Sequence, residues 1–131
     1  MTTEQTNELL ANIISTYAPQ FGKSCTKRVA LKLATSSDED MLENITGNTH
    51  ELAKTTLSEC GMILEESIVD HTIAGAILSG IVNMNPAFVL LRTEGNRVHI
   101  KACAKEGIIK QHTAERAIEF FKSTFATVEG K

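Results

Sequence analysis

Residues 87–104, AFVLLRTEGNRVHIKACA, constrain the fold more than any other stretch of the sequence. Two runs rich in β-forming residues flank Glu94-Gly95-Asn96, and glycine or asparagine can adopt the positive φ that a tight turn requires. The pattern predicts an antiparallel β-hairpin. Its first strand is apolar on both faces, since Phe88 and Leu90 point one way and their equally apolar neighbours point the other. We therefore expect this strand to lie at the centre of a sheet.

Three further segments have the spacing of amphipathic helices. Apolar residues recur near helical spacing over residues 3–18 and again over residues 114–128, where Thr113 is the expected N-cap. The sequence Asn-Thr-His-Glu at residues 48–51 is the pattern of a capping box. It predicts a third helix that kinks or ends at Gly61.

The stretch SIVDHTIAGAILSGIV, residues 67–82, predicts a fourth helix that runs to about Met84. One face of this helix is an ordinary core stripe, and a second apolar row nearly opposite contains His71 and Gly75. Leaving a large aliphatic side chain in water forgoes roughly 1.5–3 kcal/mol compared with burial. We therefore expect the second face to meet another helix or another subunit.

Alternation of apolar and polar residues in TKRVALKLA, residues 26–34, predicts a half-buried strand. The acidic run that follows reads as a surface segment, with a short helix capped by Ser36 or Ser37 as one option. A short piece at residues 108–109 is the candidate for a fourth strand. The sequence thus predicts a single α+β domain over residues 1–131, with an antiparallel sheet of three to four strands and about four helices.

Composition sets the class of protein. The hydrophobic fraction of 42% and the charged fraction of 22% are ordinary for a soluble domain, and no apolar run is long enough to span a membrane. The amino terminus lacks the pattern of a secretory signal, so a cytoplasmic location is expected. Cys25, Cys60 and Cys103 fit neither a disulfide framework nor a CxxC metal site, which predicts reduced, structural thiols.

The net charge of −3 conceals a segregation of charge along the chain. Residues 36–70 contain nine acidic side chains and one lysine, whereas residues 92–110 contain five basic side chains and two acidic ones. Such a chain is expected to be bipolar, which can orient an encounter with a partner or with a second copy.

The second strand of the hairpin places Arg97 and Lys101 on one face. If the strand predicted at residues 26–34 turns Arg28 and Lys32 the same way, the four side chains form a basic, anion-binding face that could meet RNA. The alternative is the solvent side of a half-buried sheet. No aromatic residue is interleaved with these charges, and the total charge is acidic, which argues against nucleic acid as the partner.

His71 has two interpretations. It is either a partly buried histidine in a seam between helices or subunits, or an acid/base group or ligand in a pocket with Cys60, or a carboxylate from elsewhere in the chain, as partner. Gly75, one helical turn further on, would let a ligand approach, and His99 on the sheet is a second candidate proton carrier. Asp70 lies about 100° away around the helix, so adjacency alone does not let it orient the imidazole.

The sequence contains no P-loop, no EF-hand and no zinc spacing among its histidines and cysteines, so we expect no metal and no cofactor. The leading hypothesis is a small cytoplasmic homo-oligomer, most simply a dimer. It would act as a regulatory or accessory binding module through a protein surface or an intersubunit pocket for a small ligand. The alternatives are a small enzyme with an acid/base site centred on His71 and an RNA-binding module using the basic sheet face.

Overall fold

The computed structural model describes residues 1–78, 86–105 and 112–131, and within these ranges the chain forms one α+β domain. Its helices are α1 (Thr3–Tyr17), α2 (Lys27–Thr35), α3 (Thr49–Cys60) and α4 (Thr113–Glu129), with a 3₁₀ turn (Ala18–Phe21) after α1. Its strands are β1 (Asp38–Leu42), β2 (Met62–Ser67), β3 (Thr72–Ile77), β4 (Ala87–Glu94) and β5 (Arg97–Cys103). The α+β class, the antiparallel sheet and the number of helices expected from the sequence are confirmed, although one of the four helices is not among those predicted. The sheet has five strands over the described ranges, more than the three or four expected.

The strand order is β1-β5-β4-β3-β2, and every neighbouring pair is antiparallel. Strand β4 is therefore central, as its two apolar faces predict. The β4–β5 hairpin turns at Gly95, whose φ of 59° is the left-handed conformation that glycine adopts without strain. This hairpin confirms the most specific prediction made from the sequence.

Two helices cover each face of the sheet. Helices α3 and α4 pack on the face that carries Val89, Leu91 and Ile100. Helices α1 and α2 pack on the other face, against Phe88 and Leu90. Helices of the same chain thus bury both apolar faces of β4, and neither face of this strand needs a second subunit to cover it.

The helix predicted over residues 67–84 is wrong in the part that the structure describes. Strand β2 ends at Ser67, residues 68–71 form a turn, and β3 begins at Thr72. Ile73 and Ile77, four residues apart, suggest a helical stripe, but a strand also returns to the same face every fourth residue. All six residues of β3 are buried. Residues 79–85, where the predicted helix would end, lie outside the described residues.

The strand predicted at residues 26–34 is also wrong, because this segment is helix α2. The hydroxyl of Thr26 accepts a hydrogen bond from the backbone N–H of Val29 (3.3 Å), which is an N-cap that the sequence alternation concealed. Ala30 and Ala34, at helical spacing, are fully buried. Val29 is 40% exposed and Leu31 is 39% exposed, so the alternation does not mark a buried face.

The acidic segment forms the edge strand β1 rather than a short helix or a surface loop. Its Asp40 carboxylate accepts a hydrogen bond from Nζ of Lys122 on α4 (2.8 Å), and this contact lowers the pKa of Asp40. A short, charged edge strand resists pairing with other chains. The possible extra strand at residues 108–109 lies outside the described residues.

The helix termini follow the sequence in part. The Asn48 side chain accepts a hydrogen bond from the backbone N–H of Glu51 (3.1 Å), and α3 ends before Gly61, as predicted. The predicted cap of α4 is wrong, because Thr113 is the first helical residue and His112 occupies the N-cap position. No helix within the described ranges is long and apolar enough to cross a membrane.

Candidate functional site

Two clefts flank the turn end of the β4–β5 hairpin. The cationic cleft, of about 200 Å³, is lined by Met41, Arg92, Glu94, Arg97 and His99. The histidine cleft, of about 290 Å³, has a lining that includes Asn48, Thr49, His50, His71, Thr93 and Glu94. Because successive residues of a strand point to opposite faces, Arg92 and Thr93 supply one side chain to each cleft.

Sheet register and the start of α1 build the cationic cleft. Arg92 on β4 and Met41 on β1 are both register partners of His99 on β5. Nη1 of Arg92 donates a hydrogen bond to the carbonyl oxygen of Met1 (3.0 Å) and lies 3.5 Å from the hydroxyl of Thr6. The first turn of α1 is thereby attached to the rim of the cleft.

The charges in the cationic cleft are only partly neutralised. Nε2 of His99 lies 2.9 Å from a carboxylate oxygen of Glu39, while Nδ1 is buried and has no hydrogen-bond partner among the described residues. Arg97 is exposed and forms no ion pair with any residue that the structure describes. The guanidinium of Arg97 is therefore available to bind an anion that enters the cleft.

Lys101 lies behind the cleft, two residues beyond His99 on the same face of β5. Only 5% of its surface is exposed, and Nζ donates a hydrogen bond to Oδ1 of Asn7 on α1. No carboxylate within the described part of the chain lies at ion-pair distance from this ammonium group. Its charge therefore adds to the positive potential of this face.

The structure divides the basic set predicted from the sequence. Arg97 and Lys101 lie on β5 beside the cationic cleft, whereas Arg28 and Lys32 are exposed on α2 and do not line it. The division follows directly from α2 being a helix rather than a strand. Arg92 was not predicted, although its position opposite His99 in the hairpin register is a signal that could have identified it.

A hydrogen-bonded chain of four side chains lies beside the histidine cleft. His50, near the start of α3, has Nε2 at 2.7 Å from a carboxylate oxygen of Glu66 on β2. Its Nδ1 lies 3.2 Å from the hydroxyl oxygen of Thr93 on β4. Nζ of Lys54 contacts the other Glu66 oxygen at 3.0 Å. The hydrogen bonds from His50 and then Lys54 lower the pKa of Glu66, because both stabilise its carboxylate.

His71 lines the same cleft, but its imidazole ring is not part of this hydrogen-bonded chain of side chains. It is exposed in the turn between β2 and β3 with a φ of 56°, a left-handed conformation that is uncommon for a residue other than glycine. Its carbonyl oxygen accepts a hydrogen bond from the backbone N–H of Thr93 (2.9 Å). The conformation of His71 therefore joins the turn to the central strand.

The other residues of the His71 hypothesis lie away from the cleft. A Cβ atom on Gly75 would collide with the carbonyl oxygen of Met62 and with the side chain of Leu57, so packing fills the space expected for a ligand. Cys60 ends α3 in the core, where burial raises the pKa of its thiol to about 11. A thiol with that pKa stays protonated at neutral pH and is a poor nucleophile or base.

Two functional candidates were not predicted as a site: His50 and Glu66. They meet because α3 packs on the face of the sheet towards which Glu66 of β2 points, a relation that sequence spacing does not reveal. His99 remains a candidate, but in the cationic cleft rather than with His71. Among the described residues, no group of three His, Cys, Asp or Glu side chains could hold a metal ion.

Comparison with known proteins does not identify a family for this chain. The sequence matches no protein-family model, and no curated protein matches it.

Proposed function

We propose that the protein is a small binding module that recognises an anionic group in the cationic cleft. The observation that carries this proposal is the convergence of Arg92, Arg97 and His99 on one concave space, with Arg97 free of any carboxylate partner among the described residues. A guanidinium presents its donors in a planar fork that matches the oxygens of a carboxylate, sulfate or phosphate.

The surrounding groups favour one small anion rather than an extended polyanion. Glu94 lines the cleft, and Glu39 lies beside it in contact with His99. These carboxylates repel any part of a bound anion that extends beyond the two arginines. The RNA-binding alternative has less support. Lys101 is buried, and Arg28 lies on a helix that does not line the cleft.

The two arginines supply the hydrogen-bond donors for the anion. Nε2 of His99 already lies 2.9 Å from a carboxylate oxygen of Glu39, and Nδ1 is buried, so the ring lines the cleft without donating to the anion.

The experiment is a calorimetric titration with sodium sulfate, an anion whose charge does not change near neutral pH. We expect saturable binding of one sulfate per chain at pH 7. Arg97→Gln should weaken it about tenfold, which corresponds to ~1.4 kcal/mol. Arg28→Gln, an exposed arginine outside the cleft, is the matched control and should change the affinity less than twofold. Equal losses in the two variants, or no saturable binding to the wild type, would contradict the proposal.

Homodimerisation is a second part of the proposal and rests on the turn between β2 and β3. Ile68 is 64% exposed and Val69 is 88% exposed there, which is unusual for adjacent aliphatic residues. The sheet edges are poor alternatives, because β1 is acidic and β2 contains a register shift between Ile63 and Glu65. A cytoplasmic location and a regulatory or accessory role complete the proposal, and the free thiols of all three cysteines support a reducing compartment.

A further inference from the structure

We infer a second activity, independent of anion binding: Thr93, His50 and Glu66 form a nucleophile, base and carboxylate relay that accepts an acyl group from a small ester in the histidine cleft. The three side chains come from β4, α3 and β2, and their hydrogen bonds of 3.2 Å and 2.7 Å meet on opposite nitrogens of one imidazole. This connectivity is the one that activates a hydroxyl nucleophile.

The protonation states follow from the contacts. Hydrogen bonds from His50 and Lys54 keep Glu66 ionised, and a carboxylate can only accept, so Nε2 of His50 must carry the proton. In the neutral imidazole Nδ1 then holds a lone pair. The Thr93 hydroxyl donates to the carbonyl oxygen of His71 at 3.4 Å, and Nδ1 of His50 lies closer, at 3.2 Å. Rotation of the hydroxyl hydrogen from this long hydrogen bond towards Nδ1 prepares its transfer to the base.

The cleft limits the substrate class. Its volume of about 290 Å³ is at the lower end of the usual range for ligand pockets, so it suits a short acyl group. Among the described residues, Glu94 is the one carboxylate that lines the cleft, and no described lysine or arginine lines it. An uncharged or cationic ester fits this environment better than an anionic one.

Two side chains of the same cleft can stabilise the oxyanion that develops during attack. The Asn48 oxygen is occupied by the backbone N–H of Glu51, which leaves the Asn48 amide N–H₂ without a partner among the described residues. The His71 ring likewise has no hydrogen bond to any residue that the structure describes. Both are donors that line the cleft beside Thr93.

The chemistry balances without a further reagent. The Thr93 oxygen attacks the ester carbonyl carbon and a new C–O bond forms, while the hydroxyl proton passes to Nδ1 of His50. The bond to the leaving alcohol breaks, and that alcohol takes the proton from His50. Water then attacks the acyl-Thr93 ester with His50 as base, which releases the carboxylic acid and restores the hydroxyl. Glu66 is a positioning residue, because it fixes the tautomer of His50 and touches no substrate.

The test uses p-nitrophenyl acetate as the probe, with adduct mapping by peptide mass spectrometry. We expect one acetyl group on Thr93 in the wild type. Thr93→Ser should retain acetylation, whereas Thr93→Val should abolish it. His50→Gln, with Thr93 intact, should slow it by about 10²-fold. Glu66→Gln should lower the rate at saturating ester while leaving the concentration dependence unchanged.

Two controls separate chemistry from folding and from background reactivity. Thr56→Val removes another buried hydroxyl, one that donates to the carbonyl oxygen of Leu52 outside the cleft, and should acetylate as the wild type does. His112→Gln removes an exposed imidazole that could hydrolyse the ester unspecifically. Acetyl groups found on other residues but not on Thr93 would overturn the inference. So would acetylation of Thr93 at the wild-type rate in folded His50→Gln protein.

Discussion

Replacing Gly75 with alanine tests the strand β3 assignment by the sign of its effect on stability. If residues 67–84 formed a helix, alanine at this position would stabilise the fold by about 1 kcal/mol, because glycine has a low helix propensity. In the structure, Gly75 lies in β3 beneath α3, where a new Cβ would meet the carbonyl oxygen of Met62 and the side chain of Leu57. The two assignments predict opposite outcomes.

The magnitude follows from what obstructs the new methyl group. The Met62 oxygen belongs to the backbone of the neighbouring strand and cannot rotate away, and Leu57 is fully buried. Overpacking of this kind costs about 1–3 kcal/mol, and the lower entropy of the unfolded alanine chain offsets roughly 0.4–1 kcal/mol of it. Because the obstructing oxygen belongs to the backbone, the cost lies at the upper end of that range, about 3 kcal/mol, and the net loss should be about 2–2.6 kcal/mol, which lowers the melting temperature by roughly 6–13 °C in a domain of this size.

The assay is urea unfolding followed by circular dichroism, repeated as a thermal melt. Gly130→Ala is the control, because Gly130 is exposed at the end of α4 and has an ordinary φ of −79°. That variant should differ from the wild type by less than about 0.5 kcal/mol. A Gly75→Ala protein that is as stable as the wild type, or more stable, would refute the packing described for β3.

Three further predictions follow from individual contacts. The pKa of Glu66 in the folded protein is lower than the ordinary glutamate pKa of 4.5, so its contacts with His50 and Lys54 stabilise the fold above pH 4.5. This stabilisation is lost as the pH falls through the pKa of Glu66 in the folded protein. Urea unfolding of Glu66→Gln should therefore show a smaller loss of stability on acidification than unfolding of the wild type. Phe121→Ala should cost about 3–5 kcal/mol, because Phe121 is fully buried, whereas Phe120→Ala, at a neighbouring position that is 43% exposed, should change urea stability by less than about 0.5 kcal/mol. Val69→Asp should convert a wild-type dimer into a monomer in sedimentation analysis, and a wild-type protein that is monomeric at micromolar concentration would refute the role of the turn.

The elements predicted correctly from the sequence are those in which turn residues, capping residues and apolar spacing indicate the same structure as the burial of the side chains. The β4–β5 hairpin has a turn signal at Gly95 and β-forming residues on both sides, and both strands are central enough to be buried. Helix α4 has one continuous apolar face ending at Val128, and helix α3 has an asparagine cap. Local preference and tertiary environment point the same way in these segments.

Two segments were assigned wrongly because one pattern satisfies two periods. Ile73 and Ile77 share a face in a helix and also in a strand, so their spacing does not distinguish the two structures. The segment is a strand because it pairs with β4, and this pairing cannot be read from the local sequence. In residues 26–34 the alternation at Val29 and Leu31 is incidental. The capping hydroxyl of Thr26 and the small residues facing α1 determine the helix.

The candidate sites were predictable only where one element supplies the residues. Arg97, His99 and Lys101 share a face of β5, and the period of two identifies that face correctly. The contact of His50 with Thr93 joins residues 43 positions apart on different elements, and the bond to Glu66 depends on how α3 packs against the sheet. Such convergence is a property of topology, so no spacing in the sequence indicates it.

The central claim is that the cationic cleft binds a small anion. Its most direct test is an amide chemical-shift map of the wild-type protein titrated with sulfate. We expect saturable shifts confined to residues 39–41, 92–99 and the first turn of α1, with no shift at Arg28 and Lys32 on α2. Shifts that centre on α2, or shifts that rise linearly with salt across the whole surface, would contradict it.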